Sequence, residues 1–359
     1  MHLPPTTLST LLALKPPILS PGCHTPQPLP QDLVPGGPSL NLTLSSSLSS
    51  PNTTHQTRHY NLHLPQSYIP TTPLPLILIY HGQGQNTTSI ERYTLFSTAQ
   101  PDSITVYPAG VNNQFLGDPV APPSTEINDI QFTSDLLDHL TSTYCIDTSR
   151  VYAAGFSNGG GLTGLLACNS TVGSRFAALA GVAAAHYPDE QLSEPLFGEG
   201  CVGGGKVPYL EIHGTNDKII DYQGHNGDQP ASIPLPEWMG KMARLNNCTP
   251  TAAGTGGLIG FETNSTQVLN GGNVTRYSWS CDGREDVVVH YKVEGLGHGW
   301  PGTVAVGGIL DEYRGGPTSW NATEVVRGWF GRWTRGSGFV EQGEVEAFGE
   351  FVRGWTYEG

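Results

Sequence analysis

The sequence predicts an α/β fold in which helices cover both faces of a mostly parallel central sheet. Three observations carry this expectation. Short apolar runs rich in Val, Ile and Ala recur along the chain. Helical patterns separate them. One of the runs leads directly into a serine flanked by glycines and then into a small-residue helix. Such runs match strands buried on both faces of a parallel sheet. Regular strand–helix alternation places those strands side by side, with the helices packed outside.

Taken in order, Tyr60–Leu64 alternates in the manner of an edge strand. Buried strands follow at Leu74–Tyr80, Ile104–Tyr107, Arg150–Ala154, Phe176–Ala183, Val207–Ile212 and Val287–Val293. Between them, Glu126–Thr143 carries an amphipathic stripe (Ile127, Ile130, Leu136, Leu137, Leu140) with acidic residues near its start. Asn158–Cys168 is small and apolar and reads as a buried helix. Pro236–Leu245 opens with Pro and Glu, and Asn321–Trp333 has Asn321 as its expected N-cap. We divide the chain into a weakly signal-peptide-like segment (1–22), an irregular Pro/Ser/Thr-rich arm (23–58), one catalytic domain (59–335) and an acidic tail (336–359).

Composition narrows the function classes. The 359 residues carry 17 Lys and Arg against 31 Asp and Glu, a formal charge of −14. A field of that sign repels phosphate backbones and anionic headgroups, so neither nucleic acid nor membrane is an expected partner. No stretch approaches the roughly 18 apolar residues that would span a bilayer. The six cysteines are widely spaced, with no C-x-x-C pair. Sequons stand at Asn41, Asn52, Asn86, Asn169, Asn247, Asn264, Asn273 and Asn321. Together these point to a secreted, disulfide-bonded glycoprotein.

The chemistry centres on Gly155-Phe156-Ser157-Asn158-Gly159, a G-x-S-x-G pattern between a strand and a helix. Glycines there permit a backbone turn that lifts a serine hydroxyl clear of the sheet, the nucleophile elbow of α/β-hydrolases. A serine needs a base to take its proton and a carboxylate to hold that base in one tautomer. His298, in Gly295-Leu296-Gly297-His298-Gly299-Trp300, follows the Val287–Val293 strand and is the expected base. His290, inside that strand, is the alternative. Asp217, in His213-Gly214-Thr215-Asn216-Asp217, follows the Val207–Ile212 strand and is the expected acid. Asp221 is not excluded by pattern. The oxyanion requires backbone donors: the N–H of Asn158, and one from Tyr80-His81-Gly82-Gln83-Gly84-Gln85, with Gln83 first and Gly84 second. His81 should brace that loop. Neither a metal nor an organic cofactor is expected, because the sequence has no H-E-x-x-H and no dinucleotide fingerprint.

The GFSNGG elbow (155–160), HGTND (213–217) and GHGWPG (297–302) resemble fungal feruloyl esterases and the related polyhydroxybutyrate-depolymerase-like esterases. The likeness runs from about His59 to Trp333 and includes Leu166-Ala167-Cys168 and Trp238…Asn246-Asn247-Cys248 with Cys281 later; the earlier Pro21-Gly22-Cys23 also resembles the Gly-Cys near the mature start of the fungal members. The likeness implies a serine esterase that releases ferulate and related hydroxycinnamates from plant cell-wall polysaccharide through an acyl-enzyme. It also implies a Cys248–Cys281 disulfide. The other four cysteines allow three pairings that sequence does not rank, and we expect Cys168–Cys201. Acetylxylan esterase and polyester depolymerase are the alternative activities, and a catalytically dead cell-wall-binding protein is the alternative of another class. Trp300 reads equally as a wall of the acyl slot and as a packing corner behind His298. Gln114–Pro123 is a second lining candidate.

Overall fold

The computed structural model describes residues 16–47, 55–99, 102–197, 201, 206–225, 230–248 and 265–335. Residues 1–15, the Gly-rich stretch 253–260 and the tail from 336 lie outside these. Ten strands form one sheet: β1 (Leu40–Ser47), β2 (His55–His63), β3 (Leu74–Tyr80), β4 (Ile104–Pro108), β5 (Ile146–Phe156), β6 (Ala178–Val182), β7 (Tyr209–Gly214), β8 (Ser265–Leu269), β9 (Val274–Cys281) and β10 (Arg284–Val293). Their spatial order is β1-β2-β4-β3-β5-β6-β7-β10-β9-β8. The six strands from β4 to β10 in that order run parallel. Antiparallel pairs extend both edges.

Helices α1 (Pro21–His24), α2 (Thr87–Thr94), α3 (Phe96–Ala99), α4 (Asp129–Thr143), α5 (Asn158–Cys168), α6 (Ser170–Gly173), α7 (Leu235–Leu245), α8 (Ile309–Arg314) and α9 (Ala322–Phe330) pack around the sheet. Burial of the parallel strands is nearly complete: every residue of β4, β6 and β7 is buried. Helix α5 is buried along its whole length, which is why its composition is Gly, Leu and Ala with no charged face. This arrangement is the α/β-hydrolase fold that the sequence predicts.

Two expectations need correction. The 23–58 arm is not irregular throughout, and β2 is not the edge strand. Leu40, Leu42 and Leu44 alternate with polar residues and pack on the core, so β1 pairs with β2 and takes the edge. At the other edge, β8 and β9 add two antiparallel strands that the sequence reading did not assign. The disulfides are Cys23–Cys145, Cys168–Cys201 and Cys248–Cys281. The first pins the arm to the residue preceding β5, across 122 residues of chain.

Among the described residues, three sequon asparagines are helix caps. The side-chain oxygens of Asn86, Asn169 and Asn321 accept backbone N–H groups of the turns that follow. An Asn at a helix start, with Ser or Thr soon after, satisfies orphan donors whether or not a glycan is attached.

Candidate active site

The C-terminal ends of β3, β5, β7 and β10 meet at one edge of the parallel sheet, the usual place for a ligand crevice in such sheets. Ser157 stands where β5 passes into α5, with φ 54° and ψ −121°. For a residue with a Cβ this is strained backbone. The surrounding packing enforces it. A Cβ on Gly155 would lie 2.1 Å from the Gly159 carbonyl oxygen, so the turn closes only with glycine there. Ser157 N–H donates to the Val182 carbonyl at 3.0 Å and locks the elbow to β6.

His298 and Asp217 converge on this serine. Ser157 Oγ lies 2.9 Å from His298 Nε2, and His298 Nδ1 lies 2.7 Å from Asp217 Oδ2. Asp217 Oδ1 accepts the N–H groups of Ile219 and Ile220 at 2.9 and 2.8 Å. Burial pushes the Asp217 carboxyl up. The charge of His298 and the hydrogen bonds from His213 and His298 outweigh it and hold the group well below the usual carboxylate range. An ionised Asp217 requires Nδ1–H on His298, which leaves Nε2 to accept the serine proton.

The alternatives are engaged elsewhere. His290 is buried in β10, where Nδ1–H donates to the Glu211 carbonyl at 3.1 Å and Nε2 accepts from Tyr222 Oη at 2.8 Å. Asp221 accepts the N–H groups of Gln223 and His225.

In the oxyanion loop, Gly82 N–H donates to Gln85 Oε1, Gly84 N–H to the Asn113 carbonyl and Gln85 N–H to the Gly82 carbonyl. That commits Gly84 and leaves the N–H groups of Gln83 and Asn158 without partners among the described residues. Two side chains brace this region, His81 as expected and Asn158 in addition. His81 is buried, with Nδ1–H on the Gly82 carbonyl at 2.8 Å and Nε2 accepting Gly110 N–H at 3.0 Å. Burial lowers its pKa to about 4, so it stays neutral and titrates far below neutral pH. Asn158 exchanges two side-chain hydrogen bonds with the Phe115 backbone, at 2.7 and 3.0 Å. Phe115 belongs to the 114–123 stretch, which therefore holds the oxyanion residue in place.

That stretch is anchored in turn. Asp129, at the start of α4, accepts Leu116 N–H at 2.7 Å and pairs with Arg58 of β2. Arg58 also donates to the Ala109 carbonyl and lies over the Phe132 ring. The pair is fully buried.

Trp300 does not line an accessible slot. It is 1% exposed. Its backbone N–H donates to Tyr93 Oη, its indole N–H donates to Thr323 Oγ1, and its ring meets Phe96 edge-on. The packing-corner reading is the one the geometry supports. The glycines beside His298 are close-approach positions. A Cβ on Gly297 would lie 2.0 Å from the Tyr313 carbonyl oxygen, and one on Gly299 2.5 Å from Arg314 Cβ. They let the loop press against α8, which fixes it.

The sequence reading missed Glu211 and His213, buried beside Asp217. A charged residue inside the otherwise apolar Val207–Ile212 run was the available signal. Among the described residues no group of His, Cys, Asp and Glu is arranged to hold a metal.

The sequence has relatives among known proteins. A probable feruloyl esterase C of Aspergillus niger is 30% identical over 198 residues, covering 50% of this chain and 66% of that protein. The chain has the α/β-hydrolase fold and is similar in sequence to feruloyl esterases. A feruloyl esterase B of Piromyces equi is 33% identical over 138 residues, 36% of this chain and 24% of its own. A bifunctional acetylxylan esterase/xylanase of Neocallimastix patriciarum is 28% identical over 247 residues, 67% of this chain and 31% of its own. The matched part thus spans just under two thirds of the first of these relatives and less of the others. No family model matches the chain.

Proposed function

We propose that this feruloyl-esterase relative is a secreted serine carboxylesterase that hydrolyses feruloyl and related hydroxycinnamoyl esters of plant cell-wall polysaccharide. The observation that carries the reading is the unbroken Asp217–His298–Ser157 hydrogen-bond chain beside two uncommitted backbone N–H groups. Ser157 Oγ attacks the ester carbonyl as His298 takes its proton, and the N–H groups of Asn158 and Gln83 receive the developing oxyanion. Collapse of the tetrahedral intermediate expels the sugar alkoxide, protonated by His298, and leaves the acyl group on Ser157. Water, deprotonated by the same imidazole, then releases the acid. Asp217 holds His298 in the working tautomer and stabilises the imidazolium as it forms.

The acyl preference rests on the names of the relatives, and three disulfides favour an oxidising, extracellular setting. The acetylxylan-esterase relative supports a second reading in which the acyl group is acetyl. The two separate in one comparison: kcat/KM for methyl ferulate against methyl acetate, with ferulate release from feruloylated arabinoxylan as the polymer test. Preference for the ferulate ester supports the first reading. Preference for acetate, with acetyl release from acetylxylan, replaces it with the second.

A further inference from the structure

A row of buried ionisable groups continues from Asp217 into the core, away from Ser157. Glu211 and His213 stand two residues apart on β7, so their side chains share one face of the sheet, and both are completely buried. His213 Nε2 faces the Ile220 carbonyl oxygen at 2.8 Å and Asp217 Oδ2 at 3.4 Å. His213 Nδ1 faces Glu211 Oε1 at 3.3 Å.

Every neighbour of the two ring nitrogens is an oxygen. A carbonyl can only accept, so Nε2 carries a hydrogen. Glu211 Oε1 accepts the Ala184 N–H at 3.1 Å and Oε2 accepts the Tyr209 hydroxyl at 3.4 Å, so both oxygens serve as acceptors and the proton between Oε1 and His213 belongs on Nδ1. The ring is then an imidazolium between two carboxylates. Burial opposes this charge on His213, but the hydrogen bonds and charges of Asp217 and Glu211 outweigh burial and raise the pKa to about 10. For Glu211, burial pushes upward while His186 and His213 pull down, to about 2.

Other titratable and charged groups also face the pair. His186 lies 3.9 Å from Glu211 Oε2 and is pushed down by burial. Tyr209 Oη donates to the same oxygen at 3.4 Å. Tyr222 meets the His213 ring edge-on at 6.1 Å and has Lys292 over its other side. His290, held down to about 4 by burial, accepts from Tyr222. His298 stands across Asp217.

We infer that His213 is a positioning residue for the esterase reaction, a buried cation that shares the Asp217 carboxylate with His298. The inference rests on the reading of Ser157, His298 and Asp217 as the triad. Asp217 Oδ2 faces two imidazoles and Oδ1 takes two backbone N–H groups, so the carboxylate cannot rotate without losing a partner. The cation behind it also cancels part of the negative field at His298. Removing that cation therefore leaves a more negative field around the base in the variant.

The test uses p-nitrophenyl acetate, which asks only for a serine esterase, so the acyl preference does not enter. In His213→Gln the acid limb of the kcat/KM profile should move up by about one pH unit, because Glu211 takes up a proton and a dipole rather than a full charge is lost. Its plateau should fall about tenfold or more as Asp217 loosens. A limb that stays at the wild-type pH, whatever the plateau does, overturns the inference and makes His213 a packing residue. In the wild type, 15N NMR of labelled histidine should show one ring with both nitrogens protonated and untitrated from pH 5 to about 9. Absence of that ring overturns the inference even if His213→Gln does not fold. Ser157→Ala in the same assay separates the two layers. If it stays active, the triad reading fails; if it is dead while the His213→Gln limb is unmoved, only this inference fails.

Discussion

Gly159→Ala adds one methyl group at the second residue of α5, where the structure leaves no room for it. The new Cβ would stand 2.5 Å from the His81 carbonyl oxygen and 2.6 Å from that of Tyr80. Both are backbone atoms at the end of β3 and the start of the oxyanion loop, so neither can swing aside as a side chain would. The helix start and the loop must separate by several tenths of an ångström. Overpacking of this kind costs about 1–3 kcal/mol, while Ala in place of a helical Gly returns about 1 kcal/mol. The net loss of stability should be small. Activity should suffer far more, because the separation pulls Asn158 N–H away from Gln83 N–H, and loss of one oxyanion donor costs about 10²–10³ in kcat. The variant is compared with wild type by urea denaturation and by kcat and KM on p-nitrophenyl acetate. A kcat within about threefold of wild type, in a protein of unchanged stability, would refute the claim that these two donors are set by the α5–β3 contact.

Three further outcomes follow from the packing and the buried charges. Arg58→Ala strands the buried Asp129 carboxylate and should lower the urea-unfolding free energy by about 3–5 kcal/mol, with part of the loss recovered in an Arg58→Leu/Asp129→Leu double variant. Trp300→Ala should cost about 3–5 kcal/mol in the same measurement while leaving the ferulate-to-acetate ratio of the folded enzyme unchanged; a changed ratio would return the residue to the acyl slot. Stability should fall at both pH extremes, for opposite reasons. His81 and His290, lowered by burial to about 4, bind protons only when unfolded, so stability is lost as pH falls from about 6.5 toward 4. His213, raised to about 10, contributes stability below about 6.5 that is lost as pH rises toward 10. Thermal midpoints from pH 4 to 10 should show both limbs, and His213→Gln should flatten the alkaline one.

Much of the candidate site was legible because its chemistry is written locally. Gly155 and Gly159 frame Ser157 at a spacing only a sharp turn requires, and Asp217 and His298 each follow an apolar strand by a few residues. What the residues touch was less legible. Trp300 is adjacent in sequence to the His298 loop, but its ring points to Phe96 and Thr323, contacts made across more than 20 or 200 residues of chain. The glycines of that loop are close-approach positions, which only the contacts with Tyr313 and Arg314 reveal. Strand β1 hid inside a Ser/Thr-rich arm, since composition masked the Leu40, Leu42, Leu44 alternation that a period-two count detects. Strands β8, β9 and β10 form a meander of local antiparallel pairs, with no helical crossover to announce the first two. The role of His213 needs three partners brought together by folding: Glu211, Asp217 and the Ile220 carbonyl.

The measurement that bears most directly on the whole account is ester hydrolysis by Ser157→Ala beside wild type. In the proposed mechanism the serine hydroxyl is the nucleophile and contributes almost nothing to packing, so the variant should fold with a wild-type circular dichroism spectrum and melting temperature. Its kcat on p-nitrophenyl acetate should fall by about 10⁴–10⁶, the scale seen when a triad nucleophile is removed. Wild type should release a burst of p-nitrophenol near one equivalent per enzyme as the acyl-enzyme forms, and the variant none. A folded Ser157→Ala protein that hydrolysed the ester at the wild-type rate would contradict the account at its centre.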